Sequence, residues 1–265
     1  MLGYVFMQKA LLVGFLVSLA IPLVGQVLVL RKYSMLGDAL SHGALAGVCF
    51  GLIVGINPTI AATIIAVFLS FAVTVVGRKM RENSEIAIAI IMSLGVGIAG
   101  ILSGFIDSSV SITSFLFGSI VAISQGEFYT VVVLSLLVIG LCYIFYYQFM
   151  FYSFNELEAG RNGVNVKAIN FLFTVMVGLT IAISARIVGA LIISSLLVIP
   201  VACGLLLSKS YKSNMLTAMA LSSLFTLGGI TMSFYFDLRP GGTIVVFACL
   251  TLIAIMTFQH FQKNN

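Results

Sequence analysis

The most informative stretch of this sequence is Arg31-Lys32-Tyr33-Ser34-Met35-Leu36-Gly37-Asp38-Ala39-Leu40-Ser41-His42-Gly43. It lies between an apolar run that ends at Leu30 and another that continues from Ala44 to Ile56. On a helix, Asp38 and His42 lie one turn apart on the same face, because side chains four residues apart are neighbours. The stretch therefore predicts an acid and an imidazole side by side within an apolar helix.

The composition of the whole chain is typical of a membrane protein. Of its 265 residues, 61% are hydrophobic and 8% are charged, whereas a soluble domain carries about a quarter charged residues. The apolar runs repeatedly approach the roughly 20 residues that a helix needs to cross a bilayer core. We therefore predict an all-α integral membrane protein, in which residues 1–265 form a single polytopic helical bundle of about eight transmembrane helices.

Apolar segments can be marked along the chain as candidate spans. They cover residues 8–30, 36–56, 58–77, 85–106, 127–147, 168–185, 188–207, 215–236 and 243–261. If one of these nine segments is re-entrant or merges with a neighbour, eight spans fit as well as nine. Two further stretches are not predicted to cross. Residues 115–120 are too few, and residues 149–170 mix charges with apolar side chains, as in a cytoplasmic surface helix and loop.

Basic residues predict the orientation of the spans, since cytoplasmic loops of membrane proteins are enriched in Lys and Arg. If successive segments cross the membrane in alternate directions, the following residues are cytoplasmic: Arg31, Lys32, Arg78, Lys79, Arg81, Arg161, Lys167, Lys209, Lys212 and Lys263. The C-terminus is then cytoplasmic, and Arg186 is an exception on the outer side. The net charge of +5 is attributed to this topology and not to nucleic-acid binding.

Other motifs in the chain are interpreted as structural. Residues 95–100 read GxGxxG, but a dinucleotide site needs a preceding strand, so helix packing through Gly100 and Gly104 is the better interpretation. Cys49, Cys142, Cys203 and Cys249 lie singly in apolar runs and are interpreted as buried hydrophobic residues. The sequence contains no GxxxxGK[ST] phosphate-binding loop. The chain is therefore predicted to be no enzyme, and any ATP-driven work requires a separate subunit.

Two interpretations of Asp38 and His42 remain open on the residues alone. In a structural role, Asp38 stabilises a helix N-terminus or pairs with Arg31, and His42 is hydrogen-bonded in the core. In a functional role, the pair binds a divalent cation, because intramembrane ionisable groups are costly and carboxylate with imidazole suits Zn²⁺, Mn²⁺ or Fe²⁺. One chain supplies two ligands, whereas two chains on a twofold axis would supply four. His260, Asp107 and Asp237 are interpreted as interfacial, loop or cap residues.

Five collinear motifs, which extend over essentially the whole chain, resemble the signature of permease subunits of bacterial zinc/manganese ABC importers. They are residues 34–42 with 44–48, residues 57–59, residues 116–124, residues 188–200 and residues 240–246. The departures from the family pattern are small. Gly43 stands where Ala or Thr is usual, and Ala46 stands where Pro is common.

The resemblance implies a fold similar to that of the vitamin B12 importer and a homodimer in the bacterial cell membrane. It implies two partners, a cytosolic ATP-binding subunit and an extracellular or periplasmic metal-binding protein. It also implies that Asp38 and His42 coordinate the transported ion, with no permanently bound cofactor. A coupling helix within 202–214 would dock on the ATPase, and the coupling residues expected there are Ala202, Gly204, Ser208, Lys209, Ser210 and Lys212.

The transported ion is predicted to be Zn²⁺, because residues 116–124 resemble the zinc-type members of that family. Asp and His side chains are suitable ligands for Zn²⁺ and for Mn²⁺, so an importer of Mn²⁺ or Fe²⁺ is the alternative. An ion-coupled secondary transporter is a further alternative, but it would need intramembrane acids in both halves of the chain. Cys49 follows His42 by about two helical turns. A thiolate would hold zinc too tightly for release, so Cys49 is predicted not to be a ligand.

Overall fold

A computed structural model describes residues 4–79, 84–106, 109–118, 125–190 and 192–264 of the chain. Within these ranges every regular element is an α-helix, which confirms the predicted fold class. The helices are α1 Val5–Leu30, α2 Leu36–Val54, α3 Pro58–Lys79, α4 Ser84–Ser103, α5 Ser109–Phe117, α6 Gln125–Ile144, α7 Tyr146–Phe154, α8 Glu156–Arg161, α9 Val166–Ile187, α10 Ile193–Leu207, α11 Tyr211–Phe236 and α12 Pro240–Asn264.

Among the described residues, eight helices are long and apolar enough to cross a membrane, in agreement with the predicted number of about eight. They are α1, α2, α3, α4, α6, α9, α11 and α12. The remaining predicted segment, 188–207, forms the shorter helix α10. Its 15 residues extend over about 22 Å at the usual rise per residue. The chain is thus a multi-pass membrane protein whose ninth apolar segment is a shorter helix within the bundle.

The stretches that were predicted not to cross the membrane form short helices. Helix α5 has nine residues and is followed by Gly118 with a φ of +75°. Residues 119–120 of the predicted turn, like Asp107, lie outside the described residues. The predicted surface helix and loop correspond to α7, α8 and the connection to α9. The GxGxxG motif lies inside α4. Gly95 is the glycine of this motif that packs against another helix, because a Cβ atom placed on it would lie 3.0 Å from the Gly43 nitrogen. Gly100 was predicted to have this role, but a Cβ atom placed on Gly100 would meet no atom within 4 Å.

Helix α2 packs closely against α3 because Gly47 has no side chain. A Cβ atom placed on Gly47 would lie 2.7 Å from Cα and 3.0 Å from the backbone nitrogen of Ala62. These are backbone atoms, so they cannot rotate away as a side chain would. The tight contact orients the face of α2 that carries Asp38 and His42.

Gly47→Ala is therefore expected to destabilise the protein by about 1–3 kcal/mol, the usual cost of overpacking a core. Gly140→Ala is the matched control, because a Cβ on Gly140 in α6 meets no atom within 4 Å. Alanine has the higher helix propensity, so this control should leave the melting temperature unchanged or raise it. Thermal unfolding of both purified variants in detergent measures the difference, and equal melting temperatures would contradict the packing account.

Basic side chains gather at one end of the bundle, which we call the basic end. The exposed members are Lys32, Arg161, Lys167, Lys209 and Lys212. Hydrogen bonds join the helix ends that carry them: Gln26 Nε2 donates to the Tyr211 carbonyl at 2.9 Å, and the Tyr152 hydroxyl donates to Asn170 Oδ1 at 2.8 Å. This grouping is the one that the positive-inside rule requires of a cytoplasmic face. Which end faces the cytoplasm stays a prediction.

Candidate metal site on α2

Asp38 lies in the first turn of α2, and His42 lies one turn further along the same face. The chain reverses direction between α1 and α2 at Lys32, whose φ of +60° is in the left-handed region. Helix α2 then begins at Leu36, with Met35 at the N-cap and no side-chain cap hydrogen bond. The structure therefore shows no capping role for the Asp38 carboxylate, although an acid in a first helical turn is favourable.

The neighbours of α2 leave the face of Asp38 and His42 partly open. On one side, a Cβ on Gly37 would lie 3.4 Å from Cα of Ser194 in α10. On the other side, Gly43 adjoins α4, since a Cβ on Gly95 would lie 3.0 Å from the Gly43 nitrogen. Successive residues of an α-helix are rotated by about 100°, so the side chains of Asp38 and His42 point between the α10 contact and the α4 contact. Both side chains are accordingly half-buried.

Of the structural roles proposed for the pair, one is observed, because Asp38 is an acid in the first turn of α2; the other two are not observed among the described residues. The Arg31 guanidinium pairs with the Glu156 carboxylate instead of with Asp38, so that alternative is wrong. Within the same ranges, the Asp38 carboxylate and the His42 imidazole have no hydrogen bond or ion pair. An oxygen donor and a nitrogen donor thus face a partly open surface with their lone pairs unused.

One chain supplies too few ligands for a closed metal site. In the part of the chain that the structure describes, no three His, Cys, Asp or Glu side chains converge. Cys49 is buried, and all four cysteines are free thiols. The prediction that Cys49 is not a ligand stays a prediction. A metal site at Asp38 and His42 therefore stays a prediction, in which one chain offers two side-chain ligands.

The predicted coupling residues lie at the basic end, where α10 passes into α11. They are Ala202, Gly204, Ser208, Lys209, Ser210 and Lys212. The connection comprises residues 208–210 and contains no separate helix. Gly204 is buried, because a Cβ there would overlap the Asn214 side chain. The Ser210 hydroxyl caps α11 by accepting from the Ser213 nitrogen at 3.2 Å. Of the six, Lys209 and Lys212 are the exposed charges.

Sequence reasoning missed the surroundings of two ionisable groups, the buried Glu127 and the partly buried Arg31. Glu127 at the start of α6 is 5% exposed and accepts a hydrogen bond from the Thr59 hydroxyl at 3.1 Å. Its signal in the sequence was an acid at the edge of an apolar segment.

Arg31 lies with its guanidinium carbon 4.4 Å from the ring centroid of Tyr152. Burial alone would lower the pKa of Arg31, but Tyr152 and Glu156 raise it above its usual range.

Comparison with known proteins shows which family this chain matches. The model of the ABC 3 transport family matches residues 3–259. The chain is 34% identical to the probable metal transport system membrane protein of Treponema pallidum, over 99% of each chain. It is 31% identical to the high-affinity zinc uptake system membrane protein ZnuB of Haemophilus influenzae, over 89% of this chain and 91% of the relative. It is 28% identical to the manganese transport system membrane protein MntC of Listeria innocua, over 100% and 94%.

The fold also matches a solved structure. The chain superposes on a chain of PsaBC from Streptococcus pneumoniae in complex with Fab, with a TM-score of 0.84 and 27% identity. The match covers 95% of this chain and 91% of that one. The arrangement of the described helices is therefore shared with a chain of a solved structure.

Proposed function

Since the chain belongs to the ABC 3 transport family, we propose that it carries Zn²⁺ across the cell membrane as the permease subunit of an ATP-driven importer. The observation that supports a metal cargo most directly is the pair of unpartnered, half-buried donors Asp38 and His42 on one face of a membrane helix. Buried ionisable groups without protein partners are costly in a membrane. A transported dication removes that cost while it is bound.

Two copies of the chain complete the site in this proposal. The open face of α2 lies between α4 and α10, and a twofold axis beside it would bring two Asp38 and two His42 side chains together. Four oxygen and nitrogen ligands suit a divalent transition metal. Such a site lacks thiolates, so it binds zinc weakly enough to release it.

The choice of Zn²⁺ has two supports, the zinc-type resemblance of residues 116–124 and the 31% identity to a zinc uptake protein. A manganese relative is 28% identical over 100% of this chain, whereas the zinc relative is matched over 89% of it, so Mn²⁺ is the second candidate. Carboxylate and imidazole ligands serve both ions. The remaining partners in this proposal are a cytosolic ATPase on the basic end and a metal-binding protein at the opposite end.

Metal accumulation distinguishes these cargoes. A strain that lacks this chain should contain less zinc than its parent in zinc-poor medium, and a plasmid copy should restore it. Manganese and iron are measured in the same cells by mass spectrometry of the elements. A deficit confined to manganese would replace Zn²⁺ by Mn²⁺ as the cargo, and no deficit in any of these metals would contradict import of a divalent metal.

A further inference from the structure

Two buried amide side chains lie beside the start of α11 without a full set of hydrogen bonds. Gln26, near the end of α1, is fully buried and donates from Nε2 to the Tyr211 carbonyl at 2.9 Å, but its Oε1 has no partner among the described residues. Asn214 is 2% exposed, and neither its Oδ1 nor its Nδ2 has a partner there. Buried polar groups of folded proteins are nearly always hydrogen-bonded, so three unpaired atoms in one region require an explanation.

Both amides lie where α1, α10 and α11 meet at the basic end. Next to Gln26, a Cβ on Gly25 would overlap the Leu197 carbonyl oxygen of α10. A Cβ on Gly204, also in α10, would overlap Asn214 Oδ1. The two glycines therefore let α1 and α11 approach α10 closely, and the amides lie beside these contacts. We call Gln26 and Asn214, with the helix contacts around them, the amide junction.

The two amides are complementary, but they do not bond each other in this structure. Each amide offers an acceptor oxygen and two donor hydrogens, so Gln26 Oε1 can accept from Asn214 Nδ2 while Gln26 Nε2 donates to Asn214 Oδ1. Gln26 instead donates to the carbonyl of Tyr211, three residues before Asn214 on α11. The helical pattern of α11 already provides that carbonyl with a donor four residues further on. The bond from Gln26 is therefore not needed to satisfy the backbone of α11.

We propose that the amide junction has two hydrogen-bonded states, and that Gln26 and Asn214 pair with each other in the state that this structure does not show. A small shift of α11 along α1 exchanges the Tyr211 carbonyl for the Asn214 amide, which gives all three unpaired atoms a partner. Helix shifts of this kind are a common form of conformational switching. The inference rests on the proposed function, because an importer has to alternate between states. The turn at 31–35 joins α1 to α2, so the shift also repositions the helix that carries Asp38.

Apolar replacements of the two amides test the junction. Gln26→Met keeps the length of the side chain and Asn214→Leu keeps its branched shape, but neither replacement can form the amide pair. Because each removes buried atoms without a partner, the melting temperature of the purified chain in detergent should stay unchanged or rise. The maximal rate of radioactive zinc uptake by cells that express each variant should fall by about tenfold, as expected when one state loses two hydrogen bonds. The zinc concentration for half-maximal uptake should change by less than about twofold, since the proposed ligands are untouched.

Three further variants complete the test. The double variant should transport no more slowly than either single variant, because each single change already removes the pair. Asn214→Ala repeats the loss of the amide without adding bulk beside Gly204, and it should behave as Asn214→Leu does. Thr226→Val is the matched control, since Thr226 Oγ1 is also buried on α11 without a partner among the described residues. This control should keep the wild-type uptake and a melting temperature at least as high.

The outcomes separate this inference from the proposed function. Near-normal maximal uptake by Gln26→Met, or by both Asn214 variants, would overturn the two-state junction alone. A double variant about a hundredfold slower than the wild type would also overturn it, because the amides would then act independently. So would a lower melting temperature of Gln26→Met or of both Asn214 variants, since the amides would then be satisfied in this structure by buried water. If the wild type imports neither zinc nor manganese, the proposed function fails and the inference with it.

Discussion

Asp38→Asn is expected to reduce zinc uptake nearly as completely as Asp38→Ala, by about a hundredfold or more. Loss of groups that merely support a metal ligand costs about 10–100-fold, and each of these substitutions changes a ligand in both chains of the proposed dimer. Asn keeps the shape of Asp38 and one oxygen but removes the negative charge that offsets a dication. Uptake of radioactive zinc by cells that express each variant measures the effect.

The Asn variant also separates the metal role from a helix-stabilising one. Asn caps helices as well as Asp does, so near-normal uptake by Asp38→Asn would contradict the assignment of Asp38 as a ligand. Protein yield and oligomeric mass should be unchanged in both variants, since Asp38 makes no hydrogen bond or ion pair with the described residues. Cys49→Ser is the matched control on the same helix, because Cys49 is buried and free. It should transport almost normally.

The position of Asp38 and His42 on one face could be predicted because it depends on local helix geometry alone. The sequence could not predict that this face is partly open, because its exposure depends on how α10 approaches Gly37 and how α4 approaches Gly43. Such contacts join residues far apart in the chain, and no periodicity in either segment reports them. The pairing of Arg31 with Glu156, 125 positions away, was missed for the same reason.

The length of α10 shows a second limit of reading spans from hydropathy. Residues 188–207 are apolar apart from Ser194 and Ser195, so they were marked as one segment. In the structure α9 continues to Ile187, and the chain then turns at Gly189 with a φ of +101°. Helix α10 begins at Ile193. Glycine adopts this left-handed conformation without strain, but it does not interrupt an apolar run, so hydropathy alone could not locate the turn.

Reversing the charge of both Lys209 and Lys212 to Glu is expected to weaken binding of the partner ATPase by about tenfold or more. Both side chains are exposed at the basic end, and like charges that meet across an interface cost several kcal/mol. The turn that carries them adjoins α7, because the Tyr211 ring lies 5.7 Å from that of Tyr146 and 6.0 Å from that of Phe154. Co-purification and affinity measurements with the ATPase report the loss.

A control of equal charge lies at the opposite end of the molecule. Lys9→Glu with Arg239→Glu changes the net charge by the same amount, so it should leave ATPase binding intact. Helix α8 offers a competing docking surface, since Leu157 is 75% exposed on a short charged helix. An exposed apolar side chain of this kind often anchors a partner. If Leu157→Asp abolishes binding while the double lysine variant binds normally, the ATPase docks on α8, and the placement of the coupling element on the turn between α10 and α11 is wrong.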